Sequence, residues 1–431
     1  MSHYKPYPAY KDSGVEWIGK VPEGWRETRL KFLGDYLNGY PFKPNEWAKS
    51  GLPIIRIAQL TGQEFDNYYD GDVPEHLKIK DGDLLFSWSA TIDCFIWDRG
   101  DAWLNQHIFK VIPSAEAYKR YLFHLIRHIA PKLADFDAHG STMRHIKKES
   151  LSEKVFVPSI VEQERVAKAI DRETSRIDAL IAKKTRFIEL LQEKRQALIT
   201  HAVTKGLDPN VKMKDSGVEW IGEVPEHWDV ARVKHVSRQE SGHTPDKKNP
   251  DFWEDCQIPW VSLKDSDTLR NVDYIHDTDT CINERGLAGS SARILPRGTV
   301  VFTRDATVGL CAITARPMAV SQHVIGWVST GHLNPEFLLR VFEAMATWLD
   351  SLTVGATIKT IGMDDVGILT TPYPPMAEQV TIAAHIQTTK TSMARLIGLA
   401  ERSITLLKER RSALITAAVT GKIDLASGDN A

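Results

Sequence analysis

Two stretches of the chain carry an apolar stripe at helical spacing. From Glu162 to Thr204 there is no Gly and no Pro, the composition favours Ala, Leu, Glu, Lys, Arg and Gln, and Gly206 follows. Good helix formers after Pro158 and a glycine stop predict one long helix. Its stripe runs through Ile170, Ile177, Ile181, Ile188, Leu191 and Leu198. The same stripe returns 216 residues later at Ile386, Met393, Ile397, Ile404, Leu407 and Leu414, and Gly421 closes it. A helix of ~40 residues extends ~60 Å at 1.5 Å per residue, too far for one small core. Burial against its own domain is the ordinary reading of such a stripe. Its recurrence at matched positions favours mutual packing as an antiparallel two-helix coiled coil. Lys184 interrupts the first seam.

Between these helices the periodicity changes. Short apolar runs such as Pro53-Ile-Ile-Arg-Ile-Ala and Asp83-Leu-Leu-Phe-Ser-Trp are punctuated by Gly, Asp and Pro, so residues 26–157 and 229–371 read as mixed α and β. Helical segments are expected near Tyr118 to His128 and Pro335 to Leu349. Trp88, Trp97, Trp103 and Trp260 read as core aromatics before stacking platforms.

The two halves are copies of one plan. Lys11 to Trp25 (KDSGVEWIGKVPEGW) and Lys214 to Trp228 (KDSGVEWIGEVPEHW) agree at 13 of 15 positions, and Arg195 to Thr204 and Arg411 to Thr420 at 8 of 10. Fainter echoes fall between: Pro53-Ile-Ile-Arg and Pro259-Trp-Val-Ser, Ala90-Thr91 and Ala306-Thr307, Gln106-His107 and Gln322-His323, Gly140-Ser-Thr-Met-Arg and Gly355-Ala-Thr-Ile-Lys. The segments that open and close each half match closely, whereas the interior matches only at framework positions. That inequality suits a symmetric frame carrying two different heads. The expected fold is α+β with a pseudo-twofold internal repeat: two mixed α/β domains separated by two long antiparallel helices forming a coiled coil.

A length of 431 residues exceeds one ordinary core, in keeping with two domains. With 42% hydrophobic and 26% charged residues the chain reads as soluble. No run approaches the ~20 apolar residues that cross a bilayer. The first residues, Met-Ser-His-Tyr-Lys-Pro-Tyr, lack the apolar core of a secretory signal, which makes the cytoplasm the default. Cys94, Cys256, Cys281 and Cys311 are scattered and read as reduced thiols. A net charge of −2 argues against a stand-alone nucleic-acid binder. Two answers are open: a local excess of seven Lys or Arg over two acids from Lys119 to Lys148, or a partner that supplies the phosphate contacts.

Candidate ligand contacts lie in the turn-rich interior. Bases are read by bidentate donors and acceptors. Arg56, Gln59, Ser87, Ser89, Lys264, Asp265, Thr303 and Arg304 flank equivalent strand ends and are the candidates for base edges. Thr142, Arg144, Lys147, Thr357 and Lys359 follow the two Gly-led turns, where backbone N–H groups, a hydroxyl and a cation suit phosphate. A helix cap with an incidental cation is the competing reading. Gln106-His107 and Gln322-His323 have no consistent set of further ligands, so a structural histidine in each framework is favoured over a catalytic or metal role.

The doubled Asp-Ser-Gly-Val-Glu-Trp-Ile-Gly-x-Val-Pro-x-x-Trp segment, the Gly-led turns, the Pro-x-x-x-Glu-Gln helix starts at Pro158 and Pro374 and the Ala-Leu-Ile-Thr-x-Ala-Val-Thr helix ends together resemble the specificity subunits of type I restriction-modification systems. The resemblance covers essentially the whole chain. It implies a first target recognition domain over residues 1–157, including the shared segment 11–25, and a first spacer helix over 158–206. A linker with the repeated segment over 207–228, a second recognition domain over 229–373, a second spacer helix over 374–422 and a flexible tail over 423–431 complete the division. It further implies a non-catalytic subunit that reads a bipartite site on double-stranded DNA and docks two methyltransferase subunits and the restriction-translocase subunits. S-adenosylmethionine, ATP and Mg would belong to those partners, with no cofactor or metal in this chain. The sequence has no Asp-Pro-Pro-Tyr element for adenine methylation and no phosphate loop, which fits that division. The rivals are a two-domain coiled-coil scaffold binding protein or carbohydrate, and an enzyme centred on the Gln-His pairs.

Overall fold

The computed structural model describes residues 4–137, 145–355 and 359–425. The chain divides into two compact units, Met1–Lys184 with Arg402–Ala431, and Thr185–Glu401. Its four longest helices are α1 (Lys119–Asp137), α2 (Ile160–Lys205), α3 (Pro335–Ala344) and α4 (Met376–Val419). Both boundaries between the units fall inside α2 and α4. Each unit therefore owns the start of one long helix and the end of the other.

In the first unit, strands Gly34–Asn38, Ile108–Pro113, Leu84–Ser87 and Asp93–Ile96 form an antiparallel sheet in that order. A second sheet sets Leu52–Ile55 parallel to Ala102–Leu104, with Tyr68–Tyr69 and Lys78–Ile79 at its edges. The second unit repeats both sheets. Ser237–Ser241, Val324–Ser329, Val300–Thr303 and Cys311–Thr314 pair in the first order, with Tyr274–Ile275 added as a fifth strand, and Ile258–Val261 runs parallel to Met318–Val320. A glycine is required at the same junction in both. A Cβ on Gly39 would lie 2.2 Å from the Asn105 carbonyl oxygen, and one on Gly242 1.7 Å from that of Val320.

The repeated segments have a mechanical role. Trp25 and Trp228 are buried, and each donates its indole N–H to a glutamate in the first turn of a long helix, Glu162 (3.2 Å) and Glu378 (2.9 Å). The next residue works on the other side. Gln163 and Gln379, both 1% exposed, accept from the Tyr118 N–H (2.9 Å) and the Asn334 N–H (2.8 Å) at the starts of α1 and α3. Their amide groups donate to the carbonyls of Pro158 (3.1 Å) and Pro374 (2.9 Å). The helix ends dock on the same tryptophans: Ile199, Ala202 and Val203 join Ile221, Val224 and Trp228 in one core, while Gly421, in the left-handed region, abuts Pro22 and Trp25.

Within the first unit Ile170, Ile177 and Leu414 share a core that Ile181 and Leu407 edge; Arg411 pairs with Asp178 at 2.9 Å, while Gly421 lies against Trp25, the partner of Glu162, so the two helix segments run antiparallel. Within the second unit Ile199 and Ile386 share a core, and Met393 is buried. Ile188, Leu191, Ile397 and Ile404 are half-buried. Leu198 is 36% exposed whereas Ile199 is 4% exposed, so at this end the stripe moves one residue along. One residue turns the helix by about 100°, and here α2 faces its own docking segment as well as α4.

Two expectations need correction. Cys256 and Cys281 are not separate thiols but form a disulfide; pairing of Pro259 with Cys281 in the sheet brings the two positions together across 25 residues. The basic excess from Lys119 to Lys148 is also partly spent internally, on Arg120–Asp171 (2.7 Å) and Arg127–Asp93 (2.8 Å), while Lys132 lies 4.3 Å above the Trp17 ring. His124, at 4% exposure, bonds Asp171 at 2.8 Å, and burial lowers its pKa despite that partner. In the second unit, position 340 on α3 carries Arg340, 3% exposed, which donates to Asp273, Glu343 (2.8 Å) and Gln387 (2.6 Å).

Burial favours the neutral form of Asp273, but hydrogen bonds and charge from Arg340 and then Lys390 bring its pKa down from 3.8 to about 2. A depressed carboxylate stabilises the fold above its ordinary value, so this contribution is lost as pH falls from about 4 through about 2. Asp273→Asn is expected to cost about 3 kcal/mol in urea unfolding at pH 7, because Arg340 stays buried with fewer counter-charges. By the same measurement Ile199→Ala should cost ~2–4 kcal/mol and Leu198→Ala no more than ~1, since only the former leaves a cavity.

Candidate nucleic-acid interface

The candidate residues separate by burial. Gln59, Ser87, Asp265 and Thr303 are 3%, 0%, 1% and 0% exposed, so, contrary to expectation, their side chains do not reach a base edge. Gln59 caps a one-turn helix, accepting from the Arg56 N–H at 3.2 Å and donating to the Glu64 carbonyl at 3.0 Å. Asp265 accepts from the Ser262 N–H (2.8 Å) and the Asp279 N–H (2.8 Å), and burial raises its pKa even so. Ser87 and Thr303 occupy equivalent inward positions, and Thr303 bonds back to its own turn through the carbonyls of Thr307 and Leu310. A polar residue beside a turn was legible in the sequence; which way it points depends on strand register.

The others reach the surface. Arg56 is half-buried, with its guanidinium 5.1 Å from the Trp47 ring centre, and Ser89 is half-buried. Lys264 is exposed, and Arg304 bonds Asp305 at 3.3 Å. Lys147 is exposed, and Lys359, also exposed, pairs with Asp350. Thr142, Arg144 and Thr357 lie outside the described residues, as does the tail from 426.

The fold adds residues that spacing alone did not single out. In the second unit a cleft of about 380 Å³ is lined by Thr244, Lys247, Trp253, Trp260, Lys264 and His323, among others. Trp260 is core, 5% exposed, and meets Trp253 edge to face at 5.4 Å. Ser321, 0% exposed, also lines this cleft, and its hydroxyl has no hydrogen-bond partner among the described residues. In the first unit Tyr40, Phe42 and Tyr69 cluster at ring distances of 4.9 to 6.3 Å. Phe42 is 7% exposed, so the first unit has a packed aromatic cluster where the second has an open cleft, on equivalent frames.

The histidines of the Gln-His pairs are not core residues. His107 is exposed and the His323 side chain is 40% exposed. His323 Nδ1 bonds Asp305 at 2.6 Å; that bond, with those from Thr360 and Arg304, holds the Asp305 carboxyl below its usual range against the opposing effect of burial. No group of three or more His, Cys, Asp or Glu able to hold a metal ion occurs among the described residues. No helix among them is long and apolar enough to cross a membrane.

A mixed α/β frame that occurs twice, each copy clamped to segments of the two long helices, defines a protein built as two equivalent heads. Residues 22–190 and 225–396 match the family described as the type I restriction modification DNA specificity domain. The chain is 22% identical to the type I restriction enzyme EcoBI specificity subunit of Escherichia coli, over 87% of this chain and 81% of that one. It is 23% identical to the putative MjaX specificity subunit of Methanocaldococcus jannaschii, over 94% and 95%. In solved structures its fold resembles a chain of a type I R-M system with TM-score 0.71 at 17% identity, covering 93% of this chain and 98% of that one. It also resembles the HsdS subunit of Thermoanaerobacter tengcongensis with TM-score 0.57 at 16% identity, covering 96% and 100%. The chain belongs to the type I restriction modification DNA specificity family, with one recognition domain in each half.

Asp265→Ala is expected to open the Ser262–Asp279 loop and lower stability by ~1–3 kcal/mol, whereas Lys264→Ala should leave thermal unfolding unchanged. Differential scanning calorimetry of the two variants separates the buried neighbour from the exposed one.

Proposed function

We propose that the two halves read the two parts of a split site on double-stranded DNA, one domain to each part, with the long helices setting the unread interval. The observation that carries this reading is the unequal repeat: matched clamps and helices bearing heads whose interior residues differ, in a member of a DNA specificity family. Residues 1–157 and 229–373 serve as the two readers, and 158–206 and 374–422 as the spacer. Arg56, Ser89, Lys264 and Arg304 are the surface candidates for base edges, and Lys147 and Lys359 for phosphate. A frame repeated in both halves suits two methyltransferase subunits, joined by restriction-translocase subunits, in the cytoplasm. Methyl transfer, ATP hydrolysis and any use of Mg belong to those partners. A net charge of −2 is compatible with binding if they contribute most phosphate contacts.

Inserting four residues into the middle of either long helix lengthens it by ~6 Å, the rise of about two base pairs. Mapping methylated adenines genome-wide in cells carrying the variant should give the same two half-sites with a changed spacer. An unchanged spacer removes the ruler, and methylation without a split motif removes the two-reader reading altogether.

A further inference from the structure

We propose that Gln106-His107 and Gln322-His323 form a sugar-phosphate grip that both domains share, making the same sequence-independent contact in each half-site. The inference rests on the reading that the two domains bind duplex DNA, and adds which surface meets the backbone. The heads have diverged over most of their surface, yet this pair is kept in both, and packing does not account for it: Gln106, His107 and Gln322 are exposed. The local geometry is duplicated as well. The Trp88 N–H donates to the His107 carbonyl (3.4 Å) and the Arg304 N–H to the His323 carbonyl (2.9 Å). On the other side, the Ile146 N–H donates to the Trp88 carbonyl (2.8 Å) and the Ile361 N–H to that of Arg304 (2.9 Å). Three segments thus run side by side in each unit: the Gln-His turn, a central turn, and the stretch bearing Lys147 or Lys359.

The central turn is strained in the same way twice. Ala90 and Ala306 have φ of 56° and 63°, a left-handed conformation that costs a residue with a Cβ ~1–2 kcal/mol. Strain kept at an exposed turn in both copies points to a surface shape that is needed there. In the second unit the donor is also oriented. Asp305 accepts from His323 Nδ1, so the other ring nitrogen accepts from Gln322 Nε2 at 3.2 Å, and Thr244 donates its hydroxyl proton to Gln322 Oε1. The Gln322 amide keeps a second N–H to give. In the first unit Gln106 Nε2 lies 3.5 Å from His107 Nε2, whose ring packs 5.4 Å from that of Trp88.

The choice of phosphate over base follows from what differs. Ser89 and Trp88 stand where the second unit has Asp305 and Arg304, so the aim of the glutamine is not reproduced, while the presence of a surface N–H donor is. The backbone is the one feature that two unlike half-sites have in common, and contacts to it position the protein without reading sequence.

The test uses the complex assembled with its methyltransferase partner, with binding measured on the methylation-mapped site and on duplexes altered one base pair at a time. Gln106→Ala and Gln322→Ala should each weaken binding about fivefold, equally on all duplexes, with thermal unfolding unchanged. Gln322→Glu, which keeps the shape and sets a negative charge before the phosphate, should weaken it further. A neutral methylphosphonate scanned along the DNA should impair the wild type at one phosphate in each half-site, and Gln322→Ala should abolish that sensitivity in the second half-site only. Relaxed preference at a base pair, or unchanged affinity in both Gln322 variants, overturns the proposal. A wild-type complex with no preference for any split DNA site overturns the parent reading and takes the grip with it.

Discussion

A buried indole is held most firmly where its N–H finds a partner, and at the two repeated anchors of this protein that partner is a carboxylate in the first turn of a long helix. Trp25 with Glu162 and Trp228 with Glu378 meet that need, and the adjacent Gln163 and Gln379 tie the same helix starts to the onset of α1 and α3. Two neighbouring residues thereby fix a long lever to a globular head. The helix ends, Ile199 to Val203 beside Trp228 and Gly421 against Trp25, close on the same anchors. Each unit is consequently completed by a helix segment from the other half of the sequence.

That arrangement explains which parts of the repeat stayed alike. Ile18, Val21 and Trp25, the Glu-Gln helix starts and the buried residues of the Ala-Leu-Ile-Thr helix ends line the clamp, so a change at those positions leaves a buried polar group unpaired or a cavity beside tryptophan, whereas burial does not explain the match at exposed positions such as Asp12 and Glu16. The interior strands carry no such joint constraint beyond their own pleat. Sheets of the same order hold a Tyr40–Phe42–Tyr69 cluster in one unit and a Trp253–Lys264–His323 cleft in the other. Even the junction of head and helix differs, with His124 and Asp171 in one unit and Arg340, Asp273 and Glu343 in the other. A frame held by a few satisfied polar groups tolerates different side chains in the interior of each head.

The amino-acid sequence by itself determined the repeat, both long helices and their glycine stops, the mixed character of the heads and the positions of α1 and α3. These are local or periodic signals, and helix propensity and self-similarity need no knowledge of neighbours. Tertiary structure alone decided the rest. Whether Gln59 or Lys264 meets solvent depends on loop closure and strand register, the Cys256–Cys281 bond on a sheet pairing, and the neutralisation of Arg120 and Arg127 on acids that lie far off in sequence. The histidine of the Gln-His pair was visible as a framework residue, but its place outside the core, near the left-handed turns at Ala90 and Ala306, is set by the fold. The physical reason is common to all of these: the direction of a side chain and the partner of a charge are set by segments remote in sequence, whereas the elements that carry them are set by their own residues.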